Sequence, residues 1–186
     1  IAMTNISSAV LLFSTCMVVL FIGRVPLKFI AMLLIIGGFA GMIAFQFGQR
    51  GGTAVSRVEA FFGDEIPYQA QQGYAAIATG GLFGKGPGQS DQRNFLPSAY
   101  SDFIYAIIIE EYGLVGGIIV IFLYLGLLYR GMKATTHSET AYGGLLVSGL
   151  VFSIIFQAMI NIGVTLGLGP ITGVTLPLLS MGGTSQ

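Results

Sequence analysis

The residues of this sequence that could do chemistry fall at a few places, and the first is a glycine-rich run around one lysine. It reads Gly80-Gly81-Leu82-Phe83-Gly84-Lys85-Gly86-Pro87-Gly88. A nucleotide-binding loop needs Gly, four residues and then Gly-Lys-Ser/Thr. Here Thr79 takes the first Gly position and Gly86 follows Lys85, so that motif fails. No strand precedes the run, so the dinucleotide fingerprint fails as well. Backbone N–H groups beside Lys85 could still cradle an anion such as a pyrophosphate. The plainer reading is a flexible turn with a solvated lysine.

Asp102 follows Leu96-Pro97-Ser98-Ala99-Tyr100-Ser101 and opens a long apolar run. It can cap a helix, where the dipole and free N–H groups stabilise a carboxylate. It can also be a general base on a hydroxyl, held where a loop meets the apolar run. The two roles oppose each other: a helix dipole lowers a carboxyl pKa, and desolvation would have to raise it again. Glu110 and Glu111 lie eight and nine residues further on, roughly 12–14 Å along a helix. Each costs on the order of 2.5–3.5 kcal/mol in an apolar span. Glu110 falls near the face of Asp102 and Glu111 on the opposite one. No basic residue lies inside any apolar run. Their partners are therefore expected on helices outside this sequence, or they are protonated, or they line water. They hold helices together or take part in chemistry. Asn161, Gln157 and Gln46 are expected to hydrogen-bond between helices. Cys16 is expected to pack as a small apolar residue, and His137, beside Glu139, to be solvated. One His and one Cys build no zinc site, and no Ser/His nucleophile pair is visible.

Those residues must be held by elements that the apolar pattern defines. Of 186 residues, 54% are hydrophobic and 9% charged, and mean hydropathy is +0.82. A soluble domain carries about 25% charged residues, so the bilayer must be the solvent for much of this surface. Eight Lys/Arg balance eight Asp/Glu, which points to no nucleic acid. The expected fold is an all-α polytopic membrane bundle, with a single transmembrane domain over 1–186. Spans are expected at Ile6–Ile22, Leu27–Phe47, Asp102–Tyr129 and Tyr142–Ile160. A fifth, from about Gly169, is broken by Pro170, Gly173, Pro177 and Gly182-Gly183. Irregular backbone at that depth needs protein or a wet cavity around it. Arg24 and Lys28, and Arg130 and Lys133, mark two short connections as cytoplasmic. The long loop, 48–101, then lies outside. Within it, Val55–Phe62 reads as a short interfacial helix and Tyr68–Thr79 as another. A long ordered loop is usually functional. The chain opens at Ile1 without Met and stops soon after a Gly-Gly pair, which reads as truncation at both ends.

A set of motifs in one order resembles the SEDS family (shape, elongation, division, sporulation). They are Tyr68-Gln69, Gly81–Gly86, Phe95-Leu96-Pro97, Ser101–Ala106, Glu110–Gly116, Asn161-Ile162-Gly163, Gly169–Gly173 and Leu176–Ser185. The division branch, FtsW, is resembled more than the elongation branch, RodA. The resemblance implies a peptidoglycan glycosyltransferase of about ten helices, of which this chain holds the last four and part of a fifth. Such an enzyme polymerises lipid II into glycan at the outer face of the bacterial cytoplasmic (inner) membrane, here during septal wall synthesis. Asp102 matches the family's essential aspartate, which implies the catalytic base. Lys85, Arg93, Gln69 and Ser180 are the substrate-binding candidates, with Glu110, Glu111 and Asn161 as supporting intramembrane polar groups. A divalent cation, Mg2+ or Mn2+, could neutralise the pyrophosphate, and no organic cofactor is implied. The implied partners are lipid II, the undecaprenyl-pyrophosphate-linked glycan, a class B penicillin-binding transpeptidase, other division proteins and membrane lipid. Ser98 and Tyr100 stand where many members have Glu and His, and Met181 where Tyr is common. A lipid II flippase is the competing reading, since intramembrane carboxylates and a broken helix are common in transporters. A non-catalytic scaffold for a transpeptidase is the third. This chain alone is expected to be inactive.

Overall fold

The computed structural model describes residues 6–47, 61–63, 67–92 and 101–181, and no strand occurs among them. Five helices are described: α1 (Ile6–Ile22), α2 (Leu27–Phe47), α3 (Tyr68–Gly80), α4 (Ile104–Thr136) and α5 (Ala141–Thr165). The first two have the bounds that hydropathy predicts. Their connection turns on Arg24, which takes a left-handed φ of 55°. It is closed by bonds from the Arg24 N–H to the Phe21 carbonyl (3.1 Å) and from the Val25 N–H to the Leu20 carbonyl (3.1 Å). Pro26 then precedes α2, where a missing N–H costs nothing.

The longer helices differ from expectation at both ends. α4 starts at Ile104, two residues after Asp102, and continues past Tyr129 to Thr136. Lys133 lies in its last turn, where a cation suits the helix dipole, and His137 Nδ1 reaches the Lys133 carbonyl at 2.9 Å. α5 extends to Thr165, whose hydroxyl donates to the Asn161 carbonyl (2.8 Å). Beyond it the chain leaves the helix, as its glycines and prolines predict: Gly167 and Gly173 take φ of 82° and 67°.

α4 and α5 are long and apolar enough to cross a membrane, and only 22% of the apolar window of each is buried. A soluble core helix would be mostly buried, so these faces are built for an apolar solvent or for other helices. Phe122, Leu123, Leu150 and Met159 stand exposed along them.

The chain forms two compact units, one of Ile1–Ser56 with Leu127–Phe156 and one of Arg57–Gly126 with Gln157–Gln186. In the first, glycines let helices approach: Gly37 meets the Phe13 ring, Gly131 meets Val151 and Gly149 meets Val19. Small residues are what close approach of apolar helices requires. In the second, Phe103 and Ile107 are buried with Ile171 packed against them, and Gly73 of α3 lies over the Phe103 ring. Of the predicted helix Val55–Phe62, only Phe61 and Phe62 fall within the described residues. Arg93, Phe95–Tyr100, Gly182–Gln186 and the Gln46 side chain lie outside them.

Candidate active site

All the polar contacts that follow lie within the second unit. α4 breaks at Gly113, whose φ of 72° and ψ of −173° suit glycine alone. In an unbroken ladder the N–H groups of Leu114 and Val115 would bond the Glu110 and Glu111 carbonyls. Here they bond the Gly81 carbonyl (2.9 Å) and the Leu82 carbonyl (3.3 Å) instead. The freed carbonyls of Glu110 and Glu111 accept from the N–H groups of Lys85 and Gly86, both at 2.9 Å. The glycine-rich run is thus spliced into the break, and the polar backbone there is satisfied. A Cβ at Gly84 would strike the Glu111 carbonyl and the Gly113 nitrogen, and one at Gly113 would strike the Leu82 carbonyl and the Gly84 nitrogen. The N–H groups of Lys85 and Gly86 are therefore engaged by α4, where the sequence suggested a flexible turn or, less readily, a free cradle.

The splice sets the Lys85 side chain over Glu110. Its ammonium lies 2.8 Å from Glu110 Oε1 and 2.9 Å from Asp91 Oδ2. The Glu110 side chain is fully buried. It also accepts from the Ser90 hydroxyl (2.5 Å) and from the Asp91 N–H (3.3 Å). A buried carboxylate must be paired and hydrogen-bonded to stay charged, and this one is. Its counter-ion comes from the loop of the same chain, where the sequence placed it on a helix outside, left the acid protonated or set it against water. The hydrogen bond from Lys85 to Glu110, then that to Asp91, holds the Lys85 pKa above the ordinary 10.5. Glu111, one residue on, is half-buried.

Asp102 is held differently. The turn before α4 is closed by bonds from the Ala106 and Ile107 N–H groups to the Phe103 carbonyl (3.0 and 3.3 Å). The Asp102 carboxylate is not the cap. Its hydrogen-bond partner among the described residues is the Ser101 hydroxyl, at 3.0 Å. Its backbone, by contrast, is tied from two sides. Asn161 Nδ2 donates to the Asp102 carbonyl (2.8 Å) and to the Val174 carbonyl (2.7 Å). The Ser180 hydroxyl donates to the Ser101 carbonyl (2.6 Å) and accepts from the Leu176 N–H (2.8 Å). Gln157, one turn before Asn161, donates to the Thr175 carbonyl (3.0 Å). The Tyr124 hydroxyl donates to the Pro177 carbonyl. Gln157, Asn161 and Thr165, four apart, form one stripe of α5, and Gln157 and Asn161 bond the irregular segment that follows.

The predicted site residues other than Arg93, which lies outside the described residues, take these places. Gln69 is half-buried in the first turn of α3, and Asp102 is half-buried before α4. Lys85 and Glu110 form one ion pair; Asp102, Asn161 and Ser180 form a second polar group. Sequence reasoning missed Ser90, Asp91 and the break at Gly113. The signal for the pair was present: a carboxylate in an apolar run needs a counter-ion, and Lys85 sits in a run with the glycines that close approach demands.

Fold and site define a helical membrane protein whose polar centre surrounds the entry into α4. Residues 1–186 match the FtsW/RodA/SpoVE cell cycle protein family, and the chain belongs to it. It is 36% identical to stage V sporulation protein E of Bacillus subtilis over 97% of this chain and 50% of that protein. Probable peptidoglycan glycosyltransferase FtsW of Mycobacterium tuberculosis is 45% identical over 63% of this chain and 23% of its own length. Peptidoglycan glycosyltransferase MrdB of Escherichia coli is 40% identical over 63% and 32%. A solved structure described as the structural coordination of polymerization and crosslinking by a peptidoglycan synthase complex superposes with a TM-score of 0.68. It is 25% identical and covers 98% of this chain and 51% of the matched one. The chain thus spans about half of the length of these relatives, or less.

Proposed function

We propose that this chain is part of a peptidoglycan glycosyltransferase that polymerises lipid II at the outer face of the bacterial cytoplasmic membrane, within a bundle of more spans than the two long ones described. The observation that carries this reading is Asp102: its flanking carbonyls are tied down, while its carboxylate has one hydroxyl partner among the described residues. A general base needs a fixed position and an available lone pair. In the proposed reaction the 4-hydroxyl oxygen of an incoming GlcNAc attacks the anomeric carbon of the growing glycan. The bond from that carbon to the undecaprenyl pyrophosphate oxygen breaks with inversion, the leaving group keeps the electron pair, and Asp102 takes the hydroxyl proton.

Lys85 and Arg93 are proposed for the pyrophosphate. The Lys85 ammonium already faces Glu110 and Asp91, so the exposed Asp91 is the partner that would give way. Gln69 is proposed to contact the sugar. No three His, Cys, Asp or Glu side chains among the described residues converge as metal ligands. Mg2+ or Mn2+ would be held beside substrate phosphates. A class B penicillin-binding transpeptidase is the proposed partner. The division branch is proposed over elongation, on the motifs and the higher identity to the FtsW relative.

Polymerisation of purified lipid II by the full-length protein tests this. Replacing Asp102 by Asn or Ala is expected to slow it about 100- to 10,000-fold, the usual weight of a general base. Normal polymerisation by both variants would remove Asp102 from the chemistry. Transport of labelled lipid II across vesicles, with no polymerisation by any variant, would favour the flippase. Neither activity, with transpeptidase binding intact, would leave a scaffold.

A further inference from the structure

We propose that Asn161 and Ser180 are positioning residues for Asp102, a two-sided clamp that aims its carboxylate through the backbone. This deepens the reading above and rests on Asp102 being the base. Asn161 is 2% exposed on α5. Its Nδ2 carries two hydrogens, and the carbonyls of Asp102 and Val174 take both. Two acceptors fix the amide's orientation, because the flipped amide would set oxygen against oxygen. Oδ1 is thereby turned away, and it is buried with no hydrogen-bond partner among the described residues. An orphaned buried acceptor is costly, and an apolar side chain of that size would avoid the cost. The amide is therefore held for what its N–H groups do.

Ser180 reaches Asp102 from the other side. It is 5% exposed and donates to the Ser101 carbonyl while accepting from the Leu176 N–H. The turn that brings it there passes through Leu178 at φ 67°, a conformation that L residues other than Asn and Asp seldom adopt. The carbonyls before and after the Asp102 Cα are thus anchored by different elements. Peptide planes are rigid, so pinning both fixes the direction of the Asp102 Cα–Cβ bond. A misplacement of about 1 Å can cost about 100-fold in rate.

The test uses the full-length protein with its transpeptidase partner and purified lipid II. Asn161→Leu and Ser180→Ala are expected to lower kcat about 100-fold while KM stays within about twofold, with melting temperature and partner binding retained. Ser180→Thr, which keeps the hydroxyl, is expected to restore most of kcat. Combined with Asp102→Glu, which already shifts the carboxylate, either change should add little further loss. Should Asn161→Leu not accumulate, Ser180→Ala decides alone, since it deletes one oxygen. Unchanged kcat in Ser180→Ala, a rise in KM alone, or losses that multiply with Asp102→Glu would overturn the clamp. Normal activity in Asp102→Asn would instead overturn the base, a separate outcome.

Discussion

At the scale of single residues, Glu110 is the most demanding group in the chain. Fully buried carboxylates are expensive, and removing one member of a buried pair costs more than the pair contributes, because a lone charge remains. Lys85→Met is therefore expected to destabilise the full-length protein more than the double change Lys85→Met with Glu110→Gln, which removes both charges. Thermal melting of the purified variants checks the order. A double variant less stable than Lys85→Met would mean that Glu110 is not held by this lysine. The pH dependence has a definite sign. The Lys85 pKa is raised above 10.5 by its bonds to Glu110 and Asp91. The stability gained is fully present below 10.5 and is lost only as pH rises through the higher folded value. The melting gap between wild type and Lys85→Met should be present at neutral pH and close in strong alkali. The Lys85–Asp91 contact, with Asp91 75% exposed, should contribute little by comparison.

At the scale of elements, the splice between the glycine-rich run and α4 is what sets this pair in place. Gly113→Ala would put a Cβ against the Leu82 carbonyl in a backbone region closed to other residues. Strain of that kind costs about 1–3 kcal/mol before the collision is counted. A lower melting temperature and faster proteolysis around residues 80–92 are expected, and Gly84→Ala should act alike, since each glycine faces the other's backbone. Wild-type melting in both would mean that the contact is dispensable. The same element shows what a sequence can and cannot reveal. α1, α2 and α3 were legible because their ends are written locally, in Pro26, in the polar start at Tyr68 and in Gly80-Gly81. The break in α4 was not, because Ile107–Val120 stays apolar on both sides of the two glutamates and glycine is common in membrane helices. Its cause lies some thirty residues upstream. Asp102 read as a helix cap for a related reason: spacing alone does not reveal that Phe103 closes the first turn.

At the scale of the whole molecule, which side of the membrane each segment faces remains a matter of charge. The short connections carry Arg24 and Lys28, and Arg130 and Lys133, and basic residues in short loops favour the cytoplasm. If α2 runs outward and α4 inward, the segment with Lys85, Asp91 and Asp102 lies outside, where a lipid-linked sugar polymer would be assembled. Sites for a test are at hand, because Gln89 and Glu139 are both exposed and lie on opposite sides of α4 in the chain. With Cys16 and any other cysteine of the full-length protein replaced, Gln89→Cys and Glu139→Cys are each made as single-cysteine variants in cells. A membrane-impermeant maleimide is expected to label residue 89 from outside, and residue 139 only after the membrane is opened. The reverse pattern would put Asp102 on the cytoplasmic side and rule out the role proposed for it in outer-face polymerisation. Labelling of both from outside would mean that α4 does not cross the bilayer, and its exposed apolar face would then have to be covered by protein.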